Sequence, residues 1–224
     1  MKKFAVVLVA LGLIGCARAP FKTPSFGSVS HLDPAIVVEK FRDQLPQQFE
    51  ISESVVFNYR GHKMTGLGYS KATPAAHSFV LAGVTPVGIK MFELKQLDKK
   101  LEYDFSLPQD VQSKIVPEKA AKAMADDFRR IYFDRVPEAQ ASIEKKKDRI
   151  IYRISEEGGM LEYIFGGIQE RLVEKRFVKK RKKIWRVRYF VYQKKGGKIY
   201  PSAVFYQNHE AHYSIKLKLR EILP

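Results

Sequence analysis

Tyr213-Ser214-Ile215-Lys216-Leu217-Lys218-Leu219-Arg220 alternates apolar and polar side chains without a break. A period of two puts Tyr213, Ile215, Leu217 and Leu219 on one face of a strand and the serine, lysines and arginine on the other. The sheet it joins must therefore have one covered face and one wet face. Reading back from this segment, the same period recurs over residues 198–206, 183–193, 168–178, 160–165 and 149–155, punctuated by Gly196-Gly197, Gly166-Gly167 and Gly158-Gly159 as hairpins or bulges. Further back it runs through 101–107, 89–97, 76–85, 63–71 and 49–60, with breaks at Asp98-Lys99-Lys100, Pro86-Val87-Gly88, Pro74 and Gly61-His62. The pattern predicts an antiparallel meander of about ten strands.

Two segments follow a helical period instead. Asp33-Pro34 reads as an N-cap with proline at the first helical position, Val37, Val38, Phe41 and Leu45 share one face, and Pro46 stops the helix. Pro117 opens a longer helix to Phe133, whose stripe is Ala121, Met124, Ala125, Phe128, Ile131 and Tyr132 and whose opposite face carries Lys122, Asp126, Asp127 and Arg130. The fold class is mainly β (α+β): a strongly curved antiparallel sheet or half-barrel with two helices covering its concave side. No solenoid or propeller repeat is present.

The N-terminus does not belong to this domain. Lys2 and Lys3 precede an unbroken apolar run from Phe4 to Ile14, too short to span a bilayer and suited to an export signal. Leu13-Ile14-Gly15-Cys16 resembles the bacterial lipobox, which implies cleavage before Cys16, acylation of that cysteine and lipid anchoring. Ala17 in place of aspartate implies passage to the outer membrane. Cys16 is the only cysteine in the chain, so no disulfide framework competes for it. The expected organisation is a signal peptide over 1–15, a lipidated flexible tether rich in proline, serine and threonine over 16–30, and a single domain over 31–224. The net charge of +16 becomes +14 without Lys2 and Lys3. In an envelope the matching anions are phospholipid head groups and lipopolysaccharide phosphates, and nucleic acid is not an expected partner.

The run from Phe79-Val80-Leu81-Ala82-Gly83-Val84-Thr85 through Pro86-Val87-Gly88 to Ile89-Lys90-Met91-Phe92-Glu93-Leu94 joins two apolar strands by a Pro-x-Gly turn. It resembles the LolA/LolB-like superfamily and, within it, a family of outer-membrane lipoproteins; the likeness extends loosely over residues 55–223. The resemblance implies an apolar cavity that receives acyl chains, delivered by a periplasmic carrier protein. It also implies that the Pro86-Val87-Gly88 turn inserts into the membrane, with Val87 where LolB has an exposed leucine; an ordinary turn residue beside Pro86 is the alternative for Val87. The chain departs from LolB in its basic segment, where Lys175, Arg176, Lys179, Lys180, Arg181, Lys182 and Lys183 are candidates for contact with anionic head groups. A solvated hairpin whose charges block sheet pairing is the alternative there.

Phe57, Phe79, Leu81, Phe92, Tyr103, Phe105, Met124, Phe128, Phe165, Trp185 and Tyr189 are the candidate acyl-cavity residues, and each could equally fill a dry core. Catalytic arrangements such as Gly-x-Ser-x-Gly or His-Glu-x-x-His are absent from the sequence, and no cofactor or metal is expected. His209-Glu210-Ala211-His212 leads into a strand, and Asp126-Asp127 and Glu156-Glu157 read as solvated pairs. The functional expectation is a non-enzymatic outer-membrane lipoprotein that binds an acyl chain. The second reading is an adaptor that recruits an acidic envelope partner through a basic face.

Overall fold

The computed structural model describes residues 21, 27–29, 31–106 and 116–223, so Cys16, the signal segment and most of the tether lie outside the described residues. Helix α1 spans Pro34–Gln44, and the Asp33 carboxylate caps it by accepting from the Ala35 N–H at 2.8 Å. It buries Val37, Val38 and Phe41. Five strands follow: β1 Phe49–Tyr59, β2 His62–Thr73, β3 Ser78–Val84, β4 Lys90–Leu97 and β5 Lys100–Phe105. Helix α2, Pro117–Tyr132, then precedes β6 Ser142–Lys145, β7 Arg149–Glu156, β8 Gly159–Gly166, β9 Arg171–Lys179, β10 Lys182–Lys195, β11 Lys198–Asn208 and β12 Tyr213–Ile222.

All twelve strands form one antiparallel sheet in the order β5-β4-β3-β2-β1-β12-β11-β10-β9-β8-β7-β6. The chain starts at the centre, meanders to one edge, crosses by way of α2 to the other edge, and meanders back until β12 pairs with β1. The sheet is open, with β5 and β6 as its outermost strands. β6 is an element the sequence pattern misses, because Ser142-Ile143-Glu144-Lys145 is four residues long and its single apolar side chain is exposed. The stretch from Ile168 to Glu170 is trimmed from β9: Glu170 has a positive φ, Ile168 is exposed, and a turn closes between Gly167 and Glu170.

Both helices pack on one face, the inner face. α1 sits over β8–β10, where Phe41 meets Phe165 at 5.3 Å and Tyr192 at 6.0 Å. α2 lies further along, its Phe128 4.8 Å from Phe79 on β3. The outer face is polar apart from an apolar cluster of Phe190, Ala203 and Phe205, and it carries an ion-pair ladder across β6–β9, in which Arg153 bridges Glu144 and Glu162 while Arg176 bridges Glu162 and Glu174. Although partial burial opposes ionisation, the two guanidinium groups hold the Glu162 carboxyl below its usual range.

The flexible tether expected up to residue 30 is corrected at two points. Val29 is 2% exposed within the core and its N–H donates to the Lys147 carbonyl at 2.9 Å. Phe21 packs on the outer face against Phe190 at 5.2 Å, beside Phe205 and Ala203. Apolar side chains that find a buried partner gain more than the backbone loses by ordering, so the packed chain begins before His31.

Phe79 touches Phe128 and Phe133 and is 3% exposed. Phe79→Ala removes the ring on which α2 rests and should lower the unfolding free energy by about 3 to 5 kcal/mol, read as a shift of the urea midpoint at unchanged slope.

Candidate functional site

Strand register sorts the inner face into rows. One row runs Phe105–Phe92–Gly83–Gly68–Glu53–Leu219 across β5, β4, β3, β2, β1 and β12. Its two glycines leave low ground that neighbours lean into: a Cβ on Gly83 would lie 2.2 Å from the Phe92 ring, and one on Gly68 would lie 3.1 Å from Val55 Cγ2. Beyond the row Gly66–Val55–Leu217–Val204–Tyr189, the following row toward the hairpin end runs Met64–Phe57–Ile215–Tyr206–Val187–Lys175–Tyr163–Tyr152 over eight strands. Exposure falls along it, from Met64 at 56% through half-buried Phe57 and Ile215 to Val187 at 0%.

The eleven expected cavity residues divide accordingly. Phe79, Phe128, Phe165, Trp185 and Tyr189 are buried against other protein side chains, which makes them packed core. Phe57, Leu81, Phe92, Phe105 and Met124 are half-buried, and Tyr103 is exposed on the edge strand. The half-buried group belongs to the β1–β5 half of the sheet and the first half of α2. A separate cleft of about 830 Å³ opens between α2 and the β4–β5 hairpin. His77, Asp98, Lys122 and Arg129 are among its lining residues, and of the eleven candidates only Tyr103 borders it, so this cleft is not the apolar surface in question.

Sequence reasoning misses the polar contacts that seat α2. Asp127, expected on the wet side of the helix, faces the sheet at 4% exposure. It accepts from Tyr206 Oη at 2.5 Å, from Arg130 at 3.0 Å and from the Tyr213 hydroxyl. Burial pushes its pKa up, against the lowering effect of those donors. On the other flank Tyr132 donates to Glu53 at 2.5 Å, and the Tyr189 hydroxyl donates to the Ile131 carbonyl at 2.7 Å. Burial raises the Glu53 pKa to about 7 despite the hydrogen bond from Tyr132. The signal for Glu53 is in the sequence, since it interrupts the inner-facing series Phe49, Ile51, Val55, Phe57 of β1. The signal for Asp127 is weaker: it borders the apolar stripe, at three residues from Met124 and four from Ile131.

The basic candidates also separate. Lys179, Lys180, Arg181, Lys182 and Lys183 are exposed at the β9–β10 hairpin. Lys175 is the correction: it points inward at 3% exposure, so its ammonium is not on the outer surface that a membrane could touch. Arg176 is half-buried and held in the outer-face ladder by Glu162 and Glu174. In the β3–β4 turn, Val87 is 82% and Ile89 64% exposed. That turn is held by Thr85, whose N–H donates to the Ile89 carbonyl at 2.8 Å and whose hydroxyl accepts from the Ile89 N–H at 3.0 Å, with Gly88 at φ +88. The hairpins of β1–β2, β3–β4 and β9–β10 all project from the same end of the sheet. Among the described residues no group of three or more His, Cys, Asp or Glu side chains gathers as a metal site, and no helix is long and apolar enough to cross a membrane.

Among solved structures, the chain superposes on a LolA superfamily protein from Nitrosomonas europaea with a TM-score of 0.53 at 10% identity, over 86% of this chain and 96% of that one. The fold is LolA-like. A DUF1329 family protein from Desulfovibrio piger shares it at a TM-score of 0.50 and 8% identity, over 84% of this chain and 90% of that one. No protein-family model matches the sequence, and no curated protein matches it significantly. At such identities the likeness establishes the LolA-like architecture, an open antiparallel sheet with helices on one face, and the residues on that face are this chain's own.

Because Glu53 is neutral in the fold below about pH 7 and ionises near 4.5 when unfolded, its stabilising contribution is complete below the unfolded value and is lost as pH rises through the folded one. Against a Glu53→Gln reference, the wild-type protein should lose on the order of 3 kcal/mol of stability between pH 4 and pH 8. Parallel chemical denaturation curves for the two proteins measure this; curves that track each other would show that Glu53 stays charged.

Proposed function

We propose that the protein is an envelope lipoprotein, anchored at the outer membrane through acylated Cys16, whose inner face binds the acyl chain of a lipid, lipoprotein or lipid-linked product for transfer or insertion. The observation that carries this reading is the uneven cover of the inner face. Its apolar side chains are mostly buried over β7–β11, with Ile154 and Phe177 partly covered, whereas over β1–β5 and β12 buried Phe49, Ile51, Phe79, Leu94 and Leu217 give way to half-buried Val55, Phe57, Leu81, Phe92, Phe105, Ile215 and Leu219. An acyl chain laid there would be held by removal of apolar surface from water, at about 25 cal/mol per Å², with no covalent step. On this reading the protein is a binder without catalysis or cofactor, supplied by a periplasmic carrier.

The end of the sheet from which the β3–β4 turn projects suits a membrane. Val87 and Ile89 offer apolar contact, and Lys179–Lys183 offer charge to anionic phospholipid or lipopolysaccharide, at about 1 kcal/mol for each basic side chain near such a surface. Lys180 and Arg181 both sit in the left-handed region, at φ +47 and +65. Two-residue hairpins of this kind favour Asn-Gly, so the pair holds its charges at a conformational cost. The same charges favour the adaptor reading, in which an acidic protein binds this tip. Salt-sensitive capture of one such protein with no lipid recovered would select that alternative.

Two measurements test the proposal. Native mass spectrometry with lipid extraction on the mature protein should recover an acyl species at defined stoichiometry. Val55→Phe, which fills the ground over Gly68, should lower that recovery without loss of fold by circular dichroism; a clean apo mass in repeated preparations would overturn the acyl reading. For the membrane face, the double variant Lys180→Asn, Arg181→Gly should be more stable than wild type by about 1 kcal/mol yet bind phosphatidylglycerol vesicles more weakly in co-sedimentation. Undiminished vesicle binding would remove the tip from the membrane interface.

A further inference from the structure

Lys175 and Arg135 are buried cations that make no ion pair among the described residues. Lys175 is 3% exposed; its Nζ lies 3.5 Å from the Phe133 carbonyl oxygen and over the rings of Tyr163 at 5.4 Å and Trp185 at 6.0 Å. Arg135 is 4% exposed, and its Nε is buried without a hydrogen-bond partner. A third cation, Arg130, lies over the other ring contact of Trp185 at 5.3 Å but is paired with Asp127. Burial pushes the Lys175 pKa down to about 8; Arg135 and Arg130 add to the fall, and Asp134 and Glu156 act against it from outside contact range. Two buried charges without an ion-pair partner cost several kcal/mol, and apolar residues of similar size would serve packing better. The carbonyl end of α2 offers about half a negative charge, which accounts for part of Lys175's position and leaves the Arg135 Nε–H unanswered.

The register row places Lys175 on the closed side of the surface that is open at Met64 and Phe57: Phe57, Ile215, Tyr206, Val187 and Lys175 are successive cross-strand neighbours, and Arg135 follows the C-terminal end of α2 whose Phe133 carbonyl faces Lys175. We propose that the interior between the C-terminal end of α2 and β9–β10 receives an oxyanion, a phosphate ester or carboxylate, carried on the head of the amphiphile whose acyl chain occupies the half-buried part of the inner face. The ligand class is thereby an acidic amphiphile rather than a neutral one. The inference rests on the acyl-chain reading and adds to it a head-group requirement located at Lys175 and Arg135.

Trp185 is the only tryptophan in the chain and touches both Arg130 and Lys175, so its fluorescence reports on this place. The mature protein is titrated with dioleoyl phosphatidic acid, with dioleoylglycerol and with inorganic phosphate, the lipids dispersed in a non-ionic detergent. Phosphatidic acid should bind on the order of tenfold or more tighter than dioleoylglycerol, a preference lost in Lys175→Met and retained in Lys175→Arg. Because Lys175 is buried, that loss separates the interior site from the exposed basic hairpin. Equal affinity for the two lipids, or a preference that survives Lys175→Met, overturns the oxyanion site and leaves acyl binding standing. Binding of neither lipid overturns both. A response to inorganic phosphate as strong as that to phosphatidic acid assigns the site to a free anion and also overturns the proposal. Should Lys175→Met fail to fold, Arg135→Gln puts the same question.

Discussion

Two helices are too small to cover one face of a sheet of this width. Twelve strands side by side make an arc of roughly 50 Å, while α1 and α2, at eleven and sixteen residues, are about 16 and 24 Å long. Whatever they leave bare stays half wet, and their placement decides where that happens. α1 is tied to the β7–β10 side through Phe41 and through the Tyr152 hydroxyl, which donates to the Pro34 carbonyl at 2.7 Å. α2 starts over β4–β5, rests Phe128 on Phe79 of β3, and reaches Tyr189 of β10 only at its C-terminal end. The deficit therefore falls on the hairpin end of β1–β5 and β12, where Val55, Phe57, Phe92, Phe105 and Ile215 stay half-buried, while Phe49, Ile51, Phe79 and Leu94 toward the other end are buried.

What fixes α2 in that position is polar as well as apolar. Phe128 and Ile131 supply burial, but an apolar stripe slides with little penalty, whereas a buried carboxylate has to meet its donors. Asp127 finds Tyr206 and Tyr213 on β11 and β12, and Glu53 on β1 finds Tyr132. These two contacts run in opposite directions, one acid on the helix and one on the sheet, and both cross the junction where the two meanders join. Truncating any of the three tyrosines would leave a buried acid without that donor, so the helix is specified in register and not merely held down.

Much of this was legible in the sequence because period and turn chemistry are local. The alternation in β12, the Pro-Val-Gly turn and the Asp33-Pro34 cap each predict the element that forms. β6 was not legible, since an edge strand of four residues with one exposed apolar side chain has no period to show. Tertiary choices were legible only where a residue broke its pattern. Glu53 does so within β1, and Lys175 sits on the inner parity of β9 where an apolar residue would be regular, yet a run of neighbouring lysines and arginines conceals it. For the aromatic residues the sequence could not separate core from groove, because Trp185 and Phe57 stand in equivalent alternation and differ only in whether a helix lies above them.

The positive charge of the chain thus has two physical characters. At the β9–β10 tip it is hydrated, screened over about 8 to 10 Å at ordinary salt, and able to act only on something that comes close. Inside, at Lys175 and Arg135, the surroundings are aromatic rings and backbone carbonyls, where a counter-charge is felt far more strongly and where its lack is correspondingly costly. A neutral acyl chain would gain from the bare half of the inner face but leave that cost in place. An amphiphile with an anionic head would relieve both the wet apolar surface and the unpaired cations, and a single bound molecule would account for why Lys175 shares a row of the sheet with Phe57 and Ile215.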